Sequence, residues 1–340
     1  MKSILLTVSA LLSLAVLQAQ QFTIRKLALP PELSYYDNQF SGLQVANGNL
    51  YLLSESRLED NQEAKIYAIS LADAEKQLND STFVLPYRKI IIHGLDTLAV
   101  QMKKEGQFYE GLEAFIIDSS DIYLSVETST PSSACYLLKG TIHGDSLQLG
   151  PQLTVLRKPR KPDGSGIYNA GFESLAMHDN ALYTFYEFNY FDRNYVGRYP
   201  KTLDENSRDS VLIERLPFRI TDITPAGPGH FTAINFFYKG EGGDTVYRVP
   251  ASDTIHDRLT RKSGVYNNYV RLIDLQLNKG HFIWKPLWTF PEEYTGYNWE
   301  GIAAWKDGYF LINDKYTRQR PYASVLLYIA PSSKPRIGRP

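Results

Sequence analysis

Five short phrases carry an oxygen-bearing side chain in the same place: Phe40-Ser41-Gly42-Leu43, Tyr109-Glu110-Gly111-Leu112, Phe172-Glu173-Ser174-Leu175, Ile220-Thr221-Asp222-Ile223 and Trp299-Glu300-Gly301-Ile302. Each is an aromatic or apolar residue, a hydroxyl or carboxylate, a small or short residue in most copies, and an apolar residue opening a strand. If Ser41, Glu110, Glu173, Thr221 and Glu300 converge, the three carboxylates repel, by roughly 3 kcal/mol per pair at about 6 Å and an effective dielectric near 20. Protonation or a cation must offset that repulsion. A ring of hard oxygens without histidine or thiolate favours Ca²⁺. The alternative is structural, each glutamate bonding the backbone of the neighbouring unit; stitching and ligation are compatible.

A second column ends the strand that follows each phrase: Glu55, Glu127, Glu187, Asn235 and Asp314. In an antiparallel hairpin the start of the first strand lies beside the end of the second, so the two columns share one end of the repeated unit. Glu55, Glu127, Glu187 and Asp314 are the candidates to position or deprotonate a water. Arg57, Lys315 and Arg318, with Arg193, Lys239 and Arg320 also close in sequence, are cations able to hold a phosphorylated ligand. The expected place of this column is the tunnel mouth, nearer solvent than the first. An ordinary solvated rim is the competing reading.

The elements that position these columns repeat as well. Turn residues such as Asn47-Gly48, Asp118-Ser119-Ser120-Asp121 and Asp307-Gly308 join the first and second strands. Successive phrases lie 69, 63, 48 and 79 residues apart, periods that suit one four-stranded propeller blade each. The expectation is an all-β, five-bladed β-propeller over residues 21–330, closed by pairing Phe22 to Leu29 with the last blade. Between Glu110 and Glu173 four β-like runs are expected: 114–117, 122–127, 135–142 and 147–156. The fourth repeat includes a run at Thr245 to Val249 and an inserted surface loop at Ser252 to Asn268. Leu71 to Leu78 is the helix-like piece, the loop 158–166 belongs on the face of the two columns, and 331–340 is expected to be disordered.

Residues 1–20 read as an export signal, with Lys2, an apolar core from Ile4 to Leu17, and small Ala19 at a plausible cleavage point. No later run approaches the about 18 apolar residues of a spanning helix, so a soluble exported protein without membrane insertion is expected, periplasmic or extracellular. The net charge of −1 gives no global attraction for nucleic acid. Cys135, the one cysteine, sits in an apolar strand and reads as core. The six histidines show no metal-ligand spacing. Gly240-Glu241-Gly242-Gly243-Asp244 lacks the following lysine of a phosphate-binding loop, and no Gly-x-Ser-x-Gly elbow is present.

The order Ser41, Glu110, Glu173, Thr221, Glu300 resembles the five-bladed, calcium-dependent apyrases, whose tunnel ion is ringed by serine and glutamate, one per blade; threonine stands here in the fourth place. Tyr109-Glu110-Gly111-Leu112 and Trp299-Glu300-Gly301-Ile302 also resemble phytase-like secreted propellers. The resemblance implies a tunnel calcium that helps organise water attack on a phosphoanhydride. Where the apyrase pattern carries an Asp-Asp-Arg-Thr segment this chain has Ser54-Glu55-Ser56-Arg57, so fold and calcium are implied more strongly than nucleotidase activity. Two functions follow as expectations: a calcium-dependent phosphohydrolase acting on nucleotides or other phosphate esters, or a non-catalytic propeller with structural calcium that binds a glycan or a partner protein.

Overall fold

The computed structural model describes residues 22–58, 63–240, 245–314 and 323–332. The expected export signal, Lys315, Arg318 and residues 333–340 of the expected tail lie outside the described residues.

The strands assemble in antiparallel groups of four. After β1 (Phe22–Leu27), the first group is β2 (Phe40–Ala46), β3 (Asn49–Ser54), β4 (Lys65–Ser70) and β5 (Arg88–His93). The second is β6 (Tyr109–Asp118), β7 (Asp121–Thr128), β8 (Ala134–His143) and β9 (Ser146–Leu149). The expected run 147–156 breaks at Gly150-Pro151, and its second half, β10 (Thr154–Arg157), returns to pair with the other end of β8. The third group is β11 (Ser174–His178), β12 (Ala181–Phe185), β13 (Asn194–Pro200) and β14 (Asp209–Ile213).

In the fourth group β15 (Arg219–Gly227) and β16 (His230–Phe237) are followed by an insertion with a small hairpin, β17 (Arg261–Lys262) and β18 (Val265–Tyr266). The group then resumes with β19 (Tyr269–Asn278) and β20 (His281–Thr289). Residues 245–249, expected as a strand, form a turn and irregular connection instead. The last group, β21 (Trp299–Trp305), β22 (Gly308–Asn313) and β23 (Leu326–Pro331), is completed by β1, whose Phe22 faces Pro331 and whose Leu27 faces Leu326. The N-terminal strand therefore closes the last sheet, as its position in the sequence requires if no sheet edge is to be left open there.

The opening strands β2, β6, β11, β15 and β21 pack side by side in that order, and β21 returns to β2. Between each adjacent pair of groups lies its own apolar core: Leu53 with Phe115, Cys135 with Leu182, Phe231 with Phe185, Leu272 with Trp299, and Phe310 with Leu50. Full burial of such a side chain contributes about 1.5–3 kcal/mol, so each group is held by its neighbours rather than by its own hydrogen bonds alone. This is a β-propeller. Cys135 is fully buried in one of these cores, where burial pushes its thiol up to about 11.

Two further features depart from the sequence reading. The outermost strands of neighbouring groups pair in parallel, β5 with β9 and β14 with β20, which covers edges otherwise exposed. Helices are also more numerous: besides α2 (Leu71–Asn79), at the expected place, there are α1 (Pro31–Ser34), α3 (Leu95–Lys104) and α4 (Thr254–Thr260), the last inside the insertion. In α3, Leu95, Leu98 and Met102 fall on one buried face, with Asp96 in the first turn and Lys103 and Lys104 in the last, the polarity the helix dipole favours. None of the helices of the described residues is long and apolar enough to cross a membrane.

Candidate functional site

The second residue of the phrase is a β-bulge in the opening strand of four groups. Pairing skips Ser41, Glu110, Thr221 and Glu300, while Glu173 immediately precedes β11. A bulge leaves one residue out of the ladder and re-aims its side chain, which is how a strand buried on both faces can present an oxygen at its end. β6 has a second bulge, at Glu113.

The hydroxyls of the ring stitch neighbouring groups. Ser41 Oγ donates to the Leu112 carbonyl at 2.5 Å and Thr221 Oγ1 to the Trp299 carbonyl at 2.6 Å. Asp222, beside Thr221, accepts from the backbone N–H of Ile302, Leu43 and Ile223, tying three opening strands together. Burial pushes its carboxyl well up, against those three hydrogen bonds.

Glu173 and Glu300 are held by a cation the sequence reading did not single out. Arg219 Nη2 donates to both oxygens of Glu173, at 2.8 and 2.9 Å, and to Glu300 Oε1 at 3.4 Å. Its Nε lies 2.7 Å from Glu187 Oε2, too misaligned for a hydrogen bond, so that contact is an ion pair only. Burial opposes the charge on Arg219, yet Glu173 and Glu187 hold it protonated. Tyr247, from the connection in the fourth group, packs its ring 5.7 Å from this guanidinium. Asn298 Nδ2 donates to Glu300 Oε1 at 2.5 Å.

The second column is buried as deeply as the first, not set out toward solvent. Glu55, Glu127, Glu187 and Asn235 are each less than a tenth exposed. The reason is visible at two glycines. Glu55 lies over Gly111 of the next phrase, where a Cβ would come within 3.1 Å of Glu55 Oε1, and Glu127 lies over Gly171, where a Cβ would meet Glu127 Oε1 at 3.0 Å. Each carboxylate is covered by the group that follows it. The backbone reinforces this, because the Glu55 carbonyl accepts from Leu112 N–H and the Glu187 carbonyl from Ile220 N–H.

Asn235, the uncharged member, instead spends its amide on the Pro217 and Arg219 carbonyls and accepts from Arg271 Nε at 2.7 Å. Asp314 bonds the Asn298 carbonyl through its backbone N–H. Arg57 pairs with Glu55 at 2.7 Å, which raises its guanidinium further. Lys158, at the start of the 158–166 loop, donates to the Thr128 carbonyl beside Glu127, on the face of the two columns as expected. Arg193 lines a surface pocket with Asp192, Tyr195 and His281, among residues of the third and fourth groups.

The columns therefore meet in one acidic centre with two unlike sides. Burial, then the charges of Asp314 and Glu110, pushes Glu55 up to about 7 against the pull of Arg57. Burial, then the charge of Glu187, pushes Glu127 up to about 8 against Lys158. Glu113 rises well above the usual carboxylate range for the same first reason, with Glu127 and Glu55 next. Glu173 and Glu300 are likewise raised by burial, Arg219 opposing. Glu113 Oε1 and Glu127 Oε1 are buried without a hydrogen-bond partner. Hard, unpartnered oxygens suit a hard cation in kind. As placed, no group of three or more His, Cys, Asp or Glu among the described residues stands ready to hold one. Glu113, the residue after Leu112 of the second phrase, was not singled out; its signal was a carboxylate directly before the apolar run 114–117. Arg219 had no signal beyond a lone cation opening an apolar strand.

No protein-family model and no curated protein sequence matches this chain. Solved structures resemble it in chain trace. One is a member of the DUF4221 family from Bacteroides vulgatus, with 10% identity, TM-score 0.43, and coverage of 92% of this chain and 98% of that one. A putative oxidoreductase (glucose dehydrogenase) from Thermus thermophilus has 10% identity, TM-score 0.46 and coverage of 91% and 100%. A GH43_1 enzyme from Xanthomonas citri has 9% identity, TM-score 0.47 and coverage of 90% of each chain. At these TM-scores the fold rests on the strand pairing and packing described above, not on the likenesses.

Proposed function

We propose that the chain is an exported, five-bladed propeller, each four-strand group a blade, whose axial mouth binds Ca²⁺ and hydrolyses a phosphate ester. The observation that carries this reading is the pair of buried, unpartnered oxygens, Glu113 Oε1 and Glu127 Oε1, on the side Arg219 leaves alone. The centre gathers Glu55, Glu110, Glu113, Glu127, Glu173, Glu187, Glu300 and Asp314 against Arg57, Lys158 and Arg219. Such an excess repels a free phosphate. A phosphorylated substrate needs a cation between itself and the carboxylates.

Ser41, Glu110 and Glu113 would hold the ion, with Glu173, Thr221 and Glu300 completing the ring on the side Arg219 already neutralises. When bound, Ca²⁺ supplies positive charge to a phosphoryl oxygen. Glu127, pushed up to about 8, is placed to hold and release a proton, and Glu55, pushed up to about 7, is its partner at the same mouth. Arg57, more than a third exposed at its side chain, is the described cation able to turn toward a phosphate. Lys315 and Arg318, expected from the sequence to hold the phosphate, lie outside the described residues.

The raised carboxyls favour a second reading in which no ion is needed. A protonated and an ionised carboxyl together are the equipment for cleaving a neutral glycosidic bond. One experiment separates the two. Phosphate release from nucleoside di- and triphosphates and phosphomonoesters, and phenol release from aryl glycosides, are measured in Ca²⁺ and in chelator. Calcium-dependent phosphate release that Glu127→Gln lowers by about 10²–10⁴-fold supports the first reading. Chelator-insensitive glycoside cleavage supports the second, and no turnover of either panel sinks both.

A further inference from the structure

A second site lies away from the carboxylates, in a groove of about 390 Å³ between the second and third groups. One wall is the end of β10 with Leu156, Arg157 and Pro159; the floor is the row Thr184, Gly197, Ser210 across β12, β13 and β14. Tyr195 and Tyr199 flank Gly197 on the same face of β13, since residues two apart share a face. Tyr195 is 49% exposed, leaving its ring open to a ligand.

Gly197 has no side chain, so Thr184 and Tyr199 close over it as the floor. A Cβ there would come 2.5 Å from Thr184 Oγ1 and 2.9 Å from Tyr199 Cε2. Thr184 fills that space and is fully buried, so the surface a ligand meets is made by Tyr195, Arg157, Arg208 and Ser210. Arg157 and Arg208 both line the groove and, among the described residues, neither is in an ion pair; Arg208 reaches the Tyr199 hydroxyl. Asp209 is the one carboxylate of the lining, so the groove carries more positive than negative charge.

We propose that this groove binds an acidic oligosaccharide, a chain of uronate sugars. Tyrosine rings accept the apolar faces of sugars, because they present large rigid area at low entropic cost. Guanidinium forks pair with the sugar carboxylates, and Ser210 and Asp209 meet its hydroxyls. Neutral sugars would lose the arginine contacts, and a lone anion would lose the Tyr195 ring.

The test is calorimetric titration of the full chain with trigalacturonate, with xylotriose and with inorganic phosphate, each in Ca²⁺ and in chelator. Trigalacturonate should bind about tenfold or more tighter than either of the others, and equally in chelator, because no part of the groove depends on the mouth. Arg157→Ala with Arg208→Ala should weaken it by about tenfold or more at unchanged melting temperature, and Tyr195→Ala by about a few-fold. Equal binding of xylotriose, phosphate binding as tight as trigalacturonate, undiminished binding by the double variant, or no binding at about 10 mM trigalacturonate would each overturn it.

Discussion

The two sides of the acidic centre solve the same electrostatic problem differently. On the side of the third, fourth and fifth groups, Glu173, Glu187 and Glu300 share one covalently supplied cation, Arg219. On the side of the first and second groups, Glu113 and Glu127 keep buried oxygens without a partner, and Glu55 has the partly exposed Arg57. A buried charge is tolerated when it is paired and hydrogen-bonded. The first side is therefore built as architecture, and the second is where protons, an ion or a substrate must complete the structure.

Removing the fixed cation should have the largest effect. Arg219→Leu leaves three buried carboxylates uncompensated and should cost about 3–5 kcal/mol in urea unfolding near pH 7, with part of the loss recovered at pH 5 as Glu173 and Glu300 protonate. Stability equal to the parent at both pH values would erase the distinction between the sides.

Glu113→Gln should act with the opposite sign on the other side. It removes charge where nothing balances it, so the melting temperature in chelator should rise, while the rise produced by Ca²⁺ in the parent should shrink or vanish. A parent whose melting curve is the same in chelator and in millimolar Ca²⁺ would leave the ion without a site of useful affinity.

The pH profile sharpens the comparison. A carboxyl whose folded pKa is raised binds its proton more tightly in the folded state, so the stability it contributes is full below the unfolded value of about 4.3 and is lost as pH rises through the folded value. With Glu55 near 7 and Glu127 near 8, stability in chelator should fall between pH 5 and about pH 8, and Glu127→Gln should flatten the upper part of that fall. A parent profile flat across this window would contradict the burial assigned to both groups.

The smallest effects belong to the stitches. Ser41→Ala and Thr221→Val each remove a hydroxyl donor to a neighbouring carbonyl, and each should cost about 1 kcal/mol by thermal unfolding. Near-equal losses would mean the two sides share one scaffold and differ in charge alone.

Much of this was legible along the chain because it is local. The phrase around Glu110 and its copies announced the opening strands and the oxygen each carries, and Phe22 to Leu29 was available to close the last sheet. Hairpin geometry required the column of Ser41 and Glu110 to share one end of the sheets with the column of Glu55 and Glu127. The run at 245–249 was misread because a short β-prone segment such as Tyr247-Arg248-Val249 looks like a strand until its neighbours decide otherwise. Helix α3 was missed although Leu95, Leu98 and Met102 have helical spacing, since the repeat was being read for strands.

Sequence alone determined which oxygens could gather at one end of the sheets, because strand period, turn position and repeat spacing are properties of contiguous residues. Tertiary structure decided how their charge is met. Glu173, Arg219 and Glu300 come from three different groups, and only ring closure brings the guanidinium between the two carboxylates. The depth of Glu55 and Glu127 was decided the same way, by Gly111 and Gly171 of the group that follows each. Burial and Coulomb energy depend on distances across the ring, and those exist only once its last sheet has closed on β1.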